Sequence, residues 1–180
     1  MIVAATAGLL GGAPPEPPRV GQVAPRVIAI SNGGDWDVER HYRGRYVLLT
    51  FWSLDDAASR RQFEQLRQIR RENTKENRLL ILSVCTDEME GDWDKWMRFL
   101  AAQGKVEYGD IDRRGPFHFY EDHKWLNAML DDSNFSSTDA YGVSRPPEAF
   151  LIGPDKRLRA VRIPGDQLRD VVAKALKESH

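Results

Sequence analysis

The stretch FWSLDDAASRR, Phe51 to Arg61, joins two kinds of local order. Upstream, RYVLLTFW from Arg45 to Trp52 is a continuous apolar run rich in β-formers. Such a run predicts a strand buried on both faces. Downstream of Asp56 the apolar residues fall at helical spacing: Phe63, Leu66 and Ile69 share one face, and Arg60, Arg67, Arg70 and Arg71 cover the others. The junction therefore reads as a buried strand running into a helix, with Asp56 as its cap. Asp55 and Asp56 do not read as an acid–base pair, because adjacent side chains point apart.

Outward from the junction the pattern repeats. RLLILSVC, Arg78 to Cys85, predicts a second buried strand. Two such strands joined by a helix imply a right-handed parallel crossover. RVIAI, Arg26 to Ile30, is a short strand candidate followed by SNGGDWD as a turn. DWDKWMRFLAAQG, Asp92 to Gly104, has an Asp cap, apolar helical spacing and a Gly stop. Residues 105–140 are the least regular stretch, with a short helix expected near His123 to Leu130. EAFLIG, PDKR and LRAVRI, Glu148 to Ile163, form a strand–turn–strand hairpin, and Gly165 to Lys177 closes the chain as an amphipathic helix. The expected architecture is α/β: a central mixed sheet with helices on its two faces.

Composition narrows the function classes. The chain has 180 residues, enough for one domain with a real core, spanning about 20–180. Its net charge of -1 gives no global field toward nucleic acid or an anionic membrane. With one cysteine, Cys85, a dithiol cycle within one chain is impossible. The first 19 residues read as a disordered tail or the remnant of a signal or anchor, since MIVAATAGLLGG is apolar but too short to span a bilayer. A membrane enters only through such an anchor. APPEPPRVGQVAP then reads as an extended, proline-stiffened linker.

Four pieces in order resemble the thioredoxin-like superfamily, and within it the TlpA-like thioredoxins of the redoxin type. They are GQVAP at Gly21 to Pro25, RGRYVLLTFWS at Arg43 to Ser53, LLILSVCTDE at Leu79 to Glu88, and YGVSRPPEAFLIGPDKRL at Tyr141 to Leu158. The resemblance implies a thioredoxin-like fold, an insertion of about residues 105–140 before the cis-proline loop, and Pro147 as that cis-proline. It also implies an exported, periplasmic or cell-envelope location, with the cytoplasm left open.

The departures from that family carry the functional reading. The family's two cysteines align with Asp56 and Ser59, so its Cys-x-x-Cys becomes Asp56, Ala57, Ala58, Ser59. A carboxylate at a helix N-terminus caps it but does not attack a disulfide, and a serine hydroxyl is not ionised at neutral pH. Gln62 and Glu64 stand where the family often has Glu and Pro. Pro146 stands where the family offers a backbone N–H to a substrate peptide, and proline has none. Cys85 reads either as a relocated reactive thiol or as a buried small hydrophobe.

The remaining candidates are weaker. FHFYEDH, Phe117 to His123, places His118 and His123 five apart, a poor spacing for convergent ligands on one helix face. The Arg60, Arg61, Arg70 and Arg71 cluster reads as a solvated helix face. No metal, cofactor or nucleic acid is implied. The expectation is a redox-inactive thioredoxin-like domain that binds or assembles with another protein. Its expected surface is a groove at Trp52, Pro146 and Pro147 with an insertion face of Phe117, His118, Phe119, Tyr120, His123 and Trp125. The alternative is a thiol oxidoreductase or peroxiredoxin-like enzyme using Cys85 alone.

Overall fold

The computed structural model describes residues 16–31, 34–37, 44–73, 77–87, 95, 98–99, 125–130 and 137–178. The elements are β1 Ile28–Ser31, β2 Gly34–Asp37, β3 Tyr46–Trp52, α1 Ala57–Glu72, β4 Leu79–Cys85 and β5 Trp125–Leu130. They continue with α2 Ser137–Tyr141, β6 Glu148–Ile152, β7 Leu158–Ala160 and, after a 3-10 turn at Gly165–Gln167, α3 Leu168–Lys177. Among the described residues the strands form one seven-stranded sheet in the order β2-β1-β5-β4-β3-β6-β7.

β3 lies between β4, to which it is parallel, and β6, to which it is antiparallel. Every residue of β3 and of β4 is buried, as continuous apolar runs require when helices cover the sheet. Alternation along the strands builds two cores. On one face Leu48, Trp52, Ile81 and Cys85 pack with Phe63, Leu66 and Ile69 of α1 and with Leu168, Val172 and Leu176 of α3. On the other, Val47, Leu49, Phe51, Leu80, Leu82 and Val84 pack with Tyr141 and Phe150. The Phe51, Tyr141 and Phe150 rings lie within aromatic contact, at centroid separations of 4.9 to 6.1 Å.

Several expectations are corrected. The short helix expected near His123 to Leu130 is instead the strand β5, parallel to β4 and antiparallel to β1. WLNAML is a short run in which Leu126, Ala128, Met129 and Leu130 are good helix formers and alternation is not strict, and such runs do not choose between helix and strand by themselves. Pairing on both sides decides it, and Ala128 and Leu130 then face the second core. The stretch 105–140 thus contributes a strand and most of α2 to the domain. Gly34–Asp37, read as part of a turn, pairs with β1 as an edge strand in spite of its Gly and Asp content. In the helix expected over Asp92 to Gly104, Lys95, Arg98 and Phe99 are helical and the other positions lie outside the described residues.

The proline-rich approach also joins the fold. Val23 stands opposite Arg157 in an antiparallel bridge, and Gly21 N–H donates to the Leu158 carbonyl at 2.8 Å. Pro17 lies against Gly142, where a Cβ would sit 3.1 Å from the proline ring. Gly142 has φ of 63°, so glycine serves both the left-handed turn and the close approach.

Candidate functional site at the β3–α1 junction

The site is built where parallel strands end on the same edge of the sheet. Trp52 closes β3 directly beside Cys85, the last residue of β4. β6 runs the other way and begins with Glu148 opposite Phe51, which brings Pro147 level with Trp52. The junction, the lone thiol and the proline loop therefore share one edge. The Pro146–Pro147 peptide bond is cis.

Asp56 caps α1. Its backbone is extended, with φ of -87° and ψ of 122°, and its carboxylate accepts the Ser59 N–H at 2.6 Å. The Ser59 N–H holds the Asp56 carboxyl below the ordinary aspartate range. Burial pushes the other way, while the Ser59 hydroxyl, the Ala58 N–H and Arg61 add to the lowering. Ser59 is buried, and its hydroxyl accepts the Ser53 N–H at 3.2 Å. Asp56 and Ser59 are thus bonded to each other and tied into the junction backbone. Arg60 extends the tie by donating from its guanidinium to the Leu54 carbonyl at 2.8 Å.

Cys85 is fully buried, and its thiol donates to an Asp87 carboxylate oxygen at 3.2 Å. Asp87 also accepts from the Ser53 hydroxyl at 2.7 Å and from the Leu54 N–H at 2.5 Å. Trp52, expected in a surface groove, is also fully buried. It packs on Phe63 and Phe99 at centroid distances of 4.5 and 5.2 Å, because its place on β3 points it under α1. Its indole is core, which corrects that expectation. Pro146 and Pro147 are half-buried. Phe117, His118, Phe119, Tyr120 and His123 lie outside the described residues, and Trp125 opens β5 opposite Ile81.

Sequence reasoning missed Asp87 and its partners Ser53 and Leu54. The signal was present: two parallel buried strands ending in register bring the residues after Cys85 beside those after Trp52. It also missed Lys95, which pairs with the exposed Asp55.

No protein-family model matches the chain, and no curated protein is similar to it in sequence. Solved structures are similar in shape. The thioredoxin domain of a thiol-disulfide oxidoreductase from Bacteroides vulgatus superposes with a TM-score of 0.66 at 21% identity, covering 87% of this chain and 97% of that one. A thiol:disulfide interchange protein from Bacteroides sp. gives 0.63 at 21%, covering 89% and 92%. The chain has a thioredoxin-like fold. A thiol-disulfide oxidoreductase from Bacteroides fragilis agrees, with a TM-score of 0.60 at 18% identity over 87% of this chain and 98% of that one. At these identities the likeness fixes the thioredoxin-like architecture and leaves the chemistry to the residues. In this thioredoxin-like chain the α1 N-terminus holds a carboxylate engaged as a cap.

Proposed function

We propose that the chain is a redox-inactive thioredoxin-like domain that works as a protein-binding or assembly module. The observation that carries this reading is the Asp56–Ser59 cap. It fills the electropositive start of α1 with a group that has no thiol chemistry. The one remaining thiol, Cys85, is buried and donates a hydrogen bond to Asp87, the opposite of the exposed, electropositive setting that activates a cysteine. The binding surface in this reading is the exposed rim of the same edge: Asp55, Ser144 and Arg145 with the half-buried Pro146 and Pro147. Pro146 offers a carbonyl but no N–H to an extended partner, so side-chain contacts carry the recognition. A cell-envelope location is part of the proposal and rests on family resemblance alone.

The test is capture from the native host on immobilised full-length protein, with bound proteins re-tested as purified pairs. The expected result is a partner whose binding survives a dithiol reductant and Cys85→Ser and weakens at least several-fold on Arg145→Glu. Capture that needs Cys85 and is released by the reductant would overturn the reading in favour of a lone-thiol enzyme.

A further inference from the structure

One carboxylate serves three donors at the junction. Ser53 Oγ reaches one oxygen of Asp87, while the Leu54 N–H and the Cys85 thiol share the other. Ser53 and Leu54 belong to the chain leaving β3, and Cys85 ends β4. Asp87 thus fastens the strand–helix loop to the neighbouring strand, next to the Thr86 N–H and hydroxyl, which both donate to the Trp52 carbonyl at the end of β3.

We propose that Asp87 is a latch that closes the β3–α1 junction and at the same time keeps the Cys85 thiol protonated and unreactive. The inference rests on the redox-inactive reading and names the residue that enforces it. A thiolate at Cys85 would place a second negative charge 3.2 Å from a carboxylate oxygen, at a fully buried position. Like charge and burial each favour the neutral thiol, and the neutral thiol is not the nucleophile. The same carboxylate gives the Ser53 hydroxyl and the Leu54 N–H their acceptors; without it these part-buried donors lose their partner. One carboxylate therefore serves both to close the loop and to silence the thiol. The charged groups tied to the same loop are the Asp56 carboxylate, held by the Ser59 N–H, Arg60, which donates to the Leu54 carbonyl, and Asp55, which pairs with Lys95.

The test uses the full chain and an aromatic disulfide. The Cys85 thiolate attacks one sulfur of the probe, a mixed disulfide forms, and the aromatic thiolate that leaves is read by absorbance. In the wild type the reaction is slow. Asp87→Asn removes the charge and is expected to speed it by about tenfold or more and to move the midpoint of its pH profile downward. Ser53→Ala loosens the loop but leaves the carboxylate beside the thiol, so the midpoint stays where it was. Equal rates and midpoints in Asp87→Asn and the wild type overturn the latch and leave the redox-inactive reading standing. A wild-type thiol that reacts as fast as a small free thiol overturns both. If Asp87→Asn does not fold, thermal melts of Ser53→Ala, Cys85→Ala and the double variant decide. A shared acceptor couples the two sites by about threefold or more in the unfolding constant, whereas strictly additive effects overturn the latch.

Discussion

The Ser59 N–H donates to the Asp56 carboxylate across 2.6 Å, one turn apart at the start of α1. This bond stabilises the helix that covers one face of the sheet. α1 presents five buried residues to that face, so fraying at its start propagates into the core. Asp56→Ala is expected to destabilise by about 0.5–2 kcal/mol and Asp56→Asn by less, because asparagine also caps. Denaturant melts with an unchanged slope measure both. If both variants match the wild type, Asp56 is not what holds the helix start.

The cap also carries a pH signature. The Ser59 N–H holds the Asp56 carboxyl low in the native state, so its charge stabilises the fold above the unfolded value of about 3.9. That contribution falls away as pH drops below this value and through the lower native one. The stability gap between wild type and Asp56→Asn is therefore expected to be largest near neutrality and to close in acid. A gap that widens as pH falls from about 5 to about 3 would mean that the native carboxyl is not held low.

On the opposite face, the hydroxyl of buried Tyr141 donates to the Pro25 carbonyl at 2.8 Å and so ties the N-terminal approach to α2. Tyr141→Phe removes the donor and leaves that carbonyl without it. The expected cost is about 1–3 kcal/mol with the ring packing on Phe51 and Phe150 retained. A thermal melt that does not move would show that the Pro25 carbonyl finds solvent instead.

Much of this fold is legible in the sequence for a physical reason. β3 and β4 are uninterrupted apolar runs because both of their faces are buried, and α1 shows its buried face at Phe63, Leu66 and Ile69. β5 is not legible, since WLNAML suits a helix locally and becomes a strand only through partners distant in sequence. The site divides in the same way. Asp56 is visible because capping is local, whereas Asp87 acts through contacts 33 and 34 residues away and through the register of two parallel strands. Trp52 misleads because a tryptophan at a strand end reads as surface until α1 is placed over it.

The frame itself can be tested by introducing thiols. In a Cys85→Ser background, Asp56→Cys with Ser59→Cys puts two sulfurs at the cap and one turn into α1, where the backbone permits a disulfide. The pair is expected to oxidise reversibly in the monomer, with the thiol at position 56 acidified below the free value of about 8.5 by the helix N-terminus. Reductase activity is expected to appear weakly and to rise when Pro146→Val supplies a backbone N–H. A pair that does not close in the folded protein would contradict the register assigned to this junction.

The central claim, that this thioredoxin-like domain has no thiol–disulfide turnover, is tested most directly by reduction of an insulin-type disulfide with a dithiol donor. With Asp56 and Ser59 at the junction and Cys85 buried against Asp87, the rate is expected to equal the protein-free control. Turnover well above that control, and lost on Cys85→Ser, would contradict the account.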